Sequence, residues 1–253
     1  MYFDTHAHYD DRRFDQDRDA LLAALPAAGI SLVLNPGSSI ESSHRAITLA
    51  DAHAHVYAAV GVHPHDARTM TDASVDTLRT LSHHPKVMAI GEIGLDYHYD
   101  FSPRDVQRKR FREQLDLAQE VDLPVILHQR ESTEDMLEIL QDYRGIPGVV
   151  HCFSGSVDTA RTLLDLGLHL SFTGVITYKN ARKSHEVLRY MPMDRLMLET
   201  DAPYLTPEPN RGKRNDSTQL SHIAEAVATI RGLSVEDVAR ITTETGKQLF
   251  RIA

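Results

Sequence analysis

Disulfide bonds, membrane-spanning segments and an excess of basic residues are all missing from this 253-residue sequence. Its one cysteine, Cys152, has no partner for an intrachain disulfide, so nothing favours an oxidising compartment. The longest apolar run, residues 20–30, contains Pro26 and Gly29 and is far shorter than the roughly 18 residues that span a bilayer. The first residues lack the basic and apolar regions of a signal peptide. We therefore expect a cytoplasmic protein that does not enter a membrane.

Acidic residues outnumber basic ones by 36 to 27, which gives a formal net charge of −9. This balance argues against non-specific binding to DNA or to an anionic membrane, but it does not exclude a local basic site. Hydrophobic residues make up 42% of the chain, as in ordinary globular proteins with a sizeable core. The length suits one large domain, because α/β barrels commonly use about 250 residues.

Short apolar segments alternate with segments of helical spacing along the chain. Eight such units predict a single (β/α)8 TIM-type barrel over residues 1–253, with additional C-terminal helices. A doubly wound open sheet is the alternative, but it rarely uses eight strands in this arrangement. The expected strands are 2–8, 30–35, 56–62, 87–93, 124–128, 148–153, 168–173 and 196–201. The expected helices are 17–28, 103–120, 133–143, 158–166, 181–190, 218–231 and 235–250.

The 15 histidines stand out in this composition, and their placement decides what they can do. His6 and His8 are two residues apart on the first expected strand, so both side chains point to the same side. The histidines of residues 53–55 precede a strand, at the opposite end of a barrel, and we interpret them as part of a polar turn. In residues 63–65 a proline interrupts the pair, which leaves His63 as a candidate substrate-binding residue.

Four further ionisable residues come at the carboxyl ends of other strands, where barrel enzymes build their sites. They are Glu92, His128, His151 and Asp201. Each alone has a structural interpretation, such as an ion pair, a core histidine or a helix cap. Together with the first histidine pair, however, they predict a metal site. Six ligands exceed those of one tetrahedral ion, so we expect two divalent ions that share a carboxylate and activate a water molecule.

Five motifs follow one another along the chain. They are Phe3-Asp4-Thr5-His6-Ala7-His8, Gly61-Val62-His63-Pro64, Gly91-Glu92-Ile93-Gly94-Leu95-Asp96-Tyr97, His151-Cys152-Phe153-Ser154-Gly155 and Glu199-Thr200-Asp201-Ala202-Pro203-Tyr204. They resemble the motifs of the TatD family of metal-dependent deoxyribonucleases, in the amidohydrolase superfamily. The resemblance covers nearly the whole chain. It implies a distorted TIM barrel with a divalent-metal phosphodiesterase activity on DNA.

The same resemblance implies which residues hold each metal. The first set is His6, His8, Glu92 and Asp201, and the second set is Glu92, His128 and His151. The resemblance implies Mg²⁺-dependent activity, whereas four imidazoles favour Zn²⁺, Mn²⁺, Co²⁺ or Ni²⁺; weakly bound, exchangeable ions would satisfy both. Departures from the family pattern occur at Gln129, Asp216, Ser217 and Thr245. Those in the loop of residues 211–217 bear on substrate contacts.

A nuclease needs cations near its metals, and we expect Arg130, Arg211 and Arg214 to bind phosphates. The basic run of residues 104–112 is interpreted as a solvated helix face. Cys152 is interpreted as a core residue, and Asp96 and Glu199 as groups that hydrogen-bond the ligands. Four aromatic residues at the ligand end would either stack on a base or pack loops: Tyr97, Phe101, Tyr178 and Tyr204.

The predicted function is that of a divalent-metal-dependent deoxyribonuclease. Asp201 and Glu92 are the expected catalytic residues, and Asp201 takes or relays the proton of the attacking water. A flexible single strand reaches the bottom of a barrel mouth better than a duplex does. We therefore expect a monomeric exonuclease acting on single-stranded DNA ends, in the 3′→5′ sense that the resemblance implies. The alternative is an amidohydrolase or esterase for a small carbonyl substrate; the six intact ligands disfavour a non-catalytic binding barrel.

Overall fold

The chain folds into a barrel of eight parallel strands, which confirms the predicted fold class. A computed structural model describes all 253 residues. Each strand lies beside its neighbour in sequence, from the first to the eighth. Backbone hydrogen bonds join the chain after the eighth strand to the chain after the first: Asp201 N donates to His6 O (2.9 Å) and His8 N donates to Ala202 O (2.7 Å). The strands are β1 (Tyr2–Asp4), β2 (Ile30–Pro36), β3 (Val56–Val60), β4 (Val87–Asp96), β5 (Val125–Arg130), β6 (Gly148–Val150), β7 (His169–Phe172) and β8 (Leu196–Leu198).

Nine α-helices accompany the strands. The first seven connect successive strands, and the last two follow β8 as the predicted C-terminal helices. No helix is both long and apolar enough to cross a membrane. The helices are α1 (Arg18–Ala24), α2 (Ile40–Ala52), α3 (Asp72–Ser82), α4 (Arg104–Glu120), α5 (Thr133–Asp142), α6 (Val157–Asp165), α7 (Arg182–Tyr190), α8 (Leu220–Arg231) and α9 (Val235–Leu249).

Sequence reasoning missed two helices and made one helix and the first strand too long. The strand β1 ends at Asp4, so His6 and His8 follow it and, contrary to the prediction, do not lie on it. The buried face of α2 includes Ser42 and Ser43, and that of α3 consists of Leu78 and Ser82, so neither segment shows an apolar stripe. The expected helix over residues 17–28 is broken because Pro26 lacks an N–H group. The α-helix ends before it, and a separate 3₁₀ turn follows.

The barrel end opposite the expected ligands is closed by the end of α9 and the residues after it. Leu249, Phe250 and Ile252 pack on a buried cluster inside the barrel. The Phe250 ring meets the Phe3 ring at an angle of 67°, with centroids 6.0 Å apart. This packing leaves the carboxyl ends of the strands for the site. The cluster takes one residue from each of seven strands: Phe3, Leu34, Ala59, Ala89, Ile126, Val149 and Met197.

Candidate active site

Glu92 lies at the centre of the group of predicted ligands and is only 3% exposed. Its Oε1 atom is 2.8 Å from His128 Nδ1 and 2.8 Å from His151 Nε2. Its Oε2 atom is 3.4 Å from His6 Nε2 and 3.6 Å from His8 Nε2. One carboxylate therefore contacts all four of the histidines that were predicted to bind metal.

An irregularity in β4 directs Glu92 to this position. Between Ile90 and Ile93 the register against β5 shifts, because two residues of β4 lie opposite one residue of β5. A bulge of this kind re-aims a side chain and interrupts the ladder. The Glu92 N–H accordingly donates to Gly37 O, at 2.8 Å, instead of to a neighbouring strand partner in β5.

Gly94 brings β5 close to β4 two residues after Glu92. It pairs in register with His128 and has a φ of +144°. A Cβ atom at this position would overlap the carbonyl oxygen of His128. The absence of a side chain at Gly94 thus allows the backbone of His128 to come near enough for its ring to contact Glu92.

Asp201 completes the first predicted set of ligands. Its Oδ1 atom is 3.7 Å from His6 Nε2 and 3.6 Å from His8 Nε2. Its backbone has a φ of +55°, a left-handed conformation that Asp tolerates better than most residues. The buried Asp4 carboxylate stabilises the preceding turn, because it accepts hydrogen bonds from Thr200 N (2.9 Å) and Thr200 Oγ1 (2.6 Å).

Burial and mutual contact set the protonation of the cluster. Burial would raise the pKa of Glu92, but His151, His63 and His6 outweigh it and hold that pKa well below its usual range. Burial would lower the pKa of His151, but Glu92 and Glu199 raise it well above the ordinary value. Burial lowers the pKa of His63 to about 3, so this ring is neutral and can act as a ligand. Burial raises the pKa of Asp201.

The arrangement of donor atoms fits bound cations. Ring nitrogens face each other at 3.1 Å between His6 and His8 and at 3.2 Å between His128 and His151. Facing lone pairs at such distances are unfavourable unless a proton or a cation lies nearby. Imidazole nitrogens with carboxylate oxygens suit divalent transition ions. Three groups have all their ligand atoms within 4.8 Å of one another: His6, His8 and Glu92; His63, Glu92 and His128; His6, His151 and Glu199.

The structure therefore brings all six predicted ligands together, and it adds His63. The His63 Nε2 atom lies 3.4 Å from Glu92 Oε1, so this side chain belongs to the ligand cluster as much as to a substrate surface. Glu92 is a member of two of the three groups. A carboxylate in that position can be shared by two cations.

Two buried carboxylates, Asp96 and Glu199, orient His128 and His151 through the ring nitrogens that face away from Glu92. Asp96 Oδ2 lies 3.0 Å from His128 Nε2, which turns the other ring nitrogen toward Glu92. Glu199 Oε1 lies 3.4 Å from His151 Nδ1 and accepts a hydrogen bond from Cys152 N at 2.6 Å. Such partners fix the tautomer and the orientation of a ligating histidine.

The ligand cluster opens into a cavity of about 980 Å³. Arg130, which was predicted to bind phosphate, lines this cavity, and so do Arg12 and Arg45, which sequence reasoning missed. Arg12 follows β1 in a short 3₁₀ turn, and Arg45 lies on the unpredicted helix α2. The adjacent arginines at positions 12 and 13, just after the first histidine pair, were the available signal.

Arg211 and Arg214 do not line the cavity. The Arg211 guanidinium lies 4.2 Å from the centroid of the Tyr178 ring. Arg214 forms two hydrogen bonds with the Asp17 carboxylate, at 2.6 and 2.8 Å. Asp17 is distant in sequence, so the charge count of the loop gave no sign of this ion pair.

Other residues around the site divide between the cavity and the protein interior. Cys152, predicted to be a core residue, is half-buried and lines the cavity, with Sγ 3.6 Å from Thr173 Oγ1. Its left-handed backbone, with a φ of +47°, breaks the strand alternation on which the prediction relied. Tyr178 donates a hydrogen bond to Thr206 O at 2.9 Å, and Tyr97 donates one to Asp135. Phe101 and Tyr204 line the cavity.

Three of the four positions that depart from the family pattern serve the structure, whereas the fourth, Gln129, lines the cavity. Ser217 is buried and donates a hydrogen bond to Asp4 Oδ2 at 2.6 Å. Asp216 accepts from Thr218 N at 2.9 Å and so begins a 3₁₀ turn. Thr245 is buried in α9 and bonds to Ile241 O. These contacts explain the residues without a role in substrate binding.

The barrel and its cluster of histidines and carboxylates define a metal-dependent hydrolase. The chain belongs to the family described as "TatD related DNase", which it matches over residues 3–251. It is 43% identical over 254 residues to a Bacillus subtilis protein named "Uncharacterized metal-dependent hydrolase YabD", with 100% of each chain covered. It is 40% identical over 256 residues to a Cronobacter turicensis protein named "3'-5' ssDNA/RNA exonuclease TatD", with 98% of this chain and 97% of the relative covered.

Solved structures agree with this membership. The crystal structure of the TatD homologue YJJV from Escherichia coli K12 superimposes with a TM-score of 0.93 at 33% sequence identity, covering 100% of this chain and 98% of that one. A TatD family hydrolase from Entamoeba histolytica, at 24% identity, has the same fold with a TM-score of 0.90. The predicted family and enzyme class are therefore confirmed.

Proposed function

We propose that this hydrolase cleaves phosphodiester bonds in single-stranded DNA and removes nucleotides from the 3′ end. The observation that carries the proposal is that five of the six candidate metal ligands, all except the fully buried His6, line one cavity together with three arginines. The 3′→5′ sense and the single-stranded substrate are those in the names of several relatives, which also mention RNA.

The charge of the cavity favours an anionic substrate once metals are bound. Five carboxylates line it, against the three guanidinium groups of Arg12, Arg45 and Arg130. Two divalent cations would reverse the sign of this balance. A neutral amide or ester has no use for three arginines, whereas a phosphodiester is bound well by guanidinium groups.

Each group has a role in this proposal. Two divalent cations would polarise the phosphate and make a bound water more acidic; they would be held by His6, His8, Glu92, His128, His151 and Asp201. The Asp201 carboxylate, whose pKa is raised by burial, would accept the proton of the attacking water at an Oδ atom. Arg130 would bind the phosphate nearest the cut. Arg211 and Arg214, outside the cavity, would meet only a strand that extends beyond its mouth.

The depth of the site favours a strand end. The central Glu92 is almost fully buried beneath the cavity. A stiff duplex cannot lower its backbone onto a group at that depth, whereas a flexible single strand can enter end first. The proposal therefore excludes rapid cutting within a closed circle.

A comparison of linear and circular strands tests the proposal. The substrates are a 5′-labelled single-stranded oligonucleotide and the same sequence as a circle, each with Mg²⁺, Mn²⁺ or chelator, beside a panel of esters, lactones and amides. We expect a ladder that shortens from the 3′ end of the linear strand, and an intact circle. Equal cutting of the circle would indicate an endonuclease, and turnover of the carbonyl panel alone would support the amidohydrolase or esterase function.

Arg130 offers a matched test of the phosphate contact. Loss of a charge-assisted hydrogen bond costs about 1.5–3 kcal/mol, so Arg130→Gln should raise KM for the oligonucleotide at least tenfold. Arg189→Gln is the control, because Arg189 is exposed on α7 and does not line the cavity. Equal effects of the two substitutions would contradict the role of Arg130.

A further inference from the structure

Exposed aromatic rings are concentrated in the cavity. Six large hydrophobic residues are exposed, and three of them line this one cavity: Tyr99 at 47%, Phe101 at 55% and Tyr204 at 41%. Exposed apolar side chains that gather around a functional site usually mark a binding surface. The loop between β4 and α4 provides two of the three.

Tyr99 and Phe101 form a stacked pair. Their ring centroids are 5.3 Å apart and their planes differ by 23°. The His65 ring meets both edge-on, at 5.2 Å from Tyr99 and 4.9 Å from Phe101. The Arg130 guanidinium lies 4.7 Å from the Tyr99 centroid. These side chains form an aromatic platform, defined by Tyr99 and Phe101, with the Arg130 cation over the face of the Tyr99 ring.

The platform is tied to the candidate metal centre by the Asp96 carboxylate. Asp96 Oδ1 accepts hydrogen bonds from the N–H groups of His98 (3.0 Å) and Tyr99 (2.9 Å). Asp96 Oδ2 contacts both His65 Nε2 (2.9 Å) and His128 Nε2 (3.0 Å). Because one side chain holds both the loop and a candidate ligand, the platform keeps a fixed distance from the centre.

The loop beyond the platform is also held in place. Ser102 is buried and donates a hydrogen bond to His65 O at 2.8 Å. Gln107 Nε2 donates to Ser102 O (2.8 Å) and to Asp96 O (3.0 Å). A surface that is already ordered loses little conformational freedom when a ligand binds.

We propose that the Tyr99–Phe101 platform stacks against the base of a nucleotide that flanks the scissile phosphate. This inference rests on the proposed function and deepens it by assigning a base-binding site. Stacking on an aromatic side chain is worth about 1–3 kcal/mol per base and tolerates every base, because each has a π face. The platform thus supplies affinity without a strong sequence preference, with Arg130 on the phosphate of the same strand.

Abasic substrates separate the base contact from the chemistry. Each substrate is a single-stranded oligonucleotide that carries either a normal nucleotide or an abasic unit at the terminal or the penultimate 3′ position. We expect wild-type kcat/KM to fall about tenfold or more when the abasic unit occupies the stacked position. In Phe101→Ala and Tyr99→Ala, the ratio of kcat/KM between normal and abasic strands should fall to near one.

Two further variants complete the test. Phe101→Leu keeps an apolar side chain but removes the ring, so it should also lose the discrimination while it retains the wild-type melting temperature. Tyr190→Ala removes an exposed ring on α7, outside the cavity, and should keep the wild-type ratio. An unchanged ratio in the platform variants would overturn this inference alone. A wild-type enzyme that cuts no oligonucleotide would overturn the proposed function and the inference with it.

Discussion

The substitution Gly94→Ala should disable the centre without removing any of its ligands. A Cβ at position 94 would overlap the carbonyl oxygen of His128 and lie 3.0 Å from its carbonyl carbon and its amide nitrogen. Carbon atoms in contact prefer about 3.5–4.0 Å, so β5 must move away from β4. His128 moves with β5, because all three of these atoms belong to its own backbone.

Two separate effects determine how much stability and how much activity Gly94→Ala should lose. A side chain at the positive φ of Gly94 costs on the order of 1–3 kcal/mol of stability. A displacement of the ligand by about 1 Å costs roughly 100-fold in rate. We therefore expect kcat/KM to fall at least that far, together with weaker metal binding at the His128 side.

Gly29→Ala is the control that isolates the second effect. Gly29 also has a positive φ, +89°, but a Cβ there would meet nothing within 4 Å, and it lies far from the ligands, before β2. Its melting temperature should fall by a few degrees, while metal content and activity stay at the wild-type level. Elemental analysis and oligonucleotide turnover of both variants provide the measurement. Wild-type metal content and activity in Gly94→Ala would refute the reasoning.

Four further predictions concern the central carboxylate, the cysteine, the loop after β8 and the oligomeric state. Glu92→Gln removes the negative charge that the surrounding imidazoles face. Mutation of a residue that only hydrogen-bonds a metal ligand typically lowers metal affinity roughly 10–100-fold, so the loss at Glu92 should be larger. Glu186→Gln on α7 should leave the metal affinity unchanged. Burial raises the pKa of Cys152. Since the thiolate is the reactive form, alkylation of the metal-free protein at pH 8 should be slower than that of a free thiol and should still accelerate above pH 9. For a long strand, Arg214→Gln should reduce the slope of log KM against log salt concentration by up to about 0.7. For a dinucleotide, the slope should not change. Light scattering should give 28.4 kDa, the mass of one chain.

The parts of the fold that sequence reasoning predicted share a strong local signal. Buried parallel strands contain continuous apolar runs, and in this chain Glu92, His128 and His151 each come directly after such a run. The strands β4 and β5 themselves continue beyond Glu92 and His128, to Asp96 and Arg130. The position of each ligand along its own strand is then enough to predict that the ligands meet, because parallel strands place their carboxyl ends at one end of a barrel.

The parts that sequence reasoning missed depend on contacts between distant residues. The helices α2 and α3 bury small polar side chains, which hide their periodicity, and Arg45 was missed together with α2. Arg214 carries the right charge, but its partner Asp17 cannot be recognised from the loop. Tyr99 becomes a candidate for base binding only when Phe101 and Arg130 are seen beside it.

The barrel closes where the chain after β1 meets the chain after β8, and this joint affects how the protein folds. Asp4 bonds to Thr200 across 196 positions of sequence, and His6 meets Asp201 at the same joint. Contacts of such long range form late, because the entropy of closing a long loop must be overcome first. A folding intermediate with seven paired strands would hold His128 and His151 together but would lack the joint. Metal ions should therefore bind the closed barrel in preference to any intermediate, which makes their uptake a probe of the last step of folding.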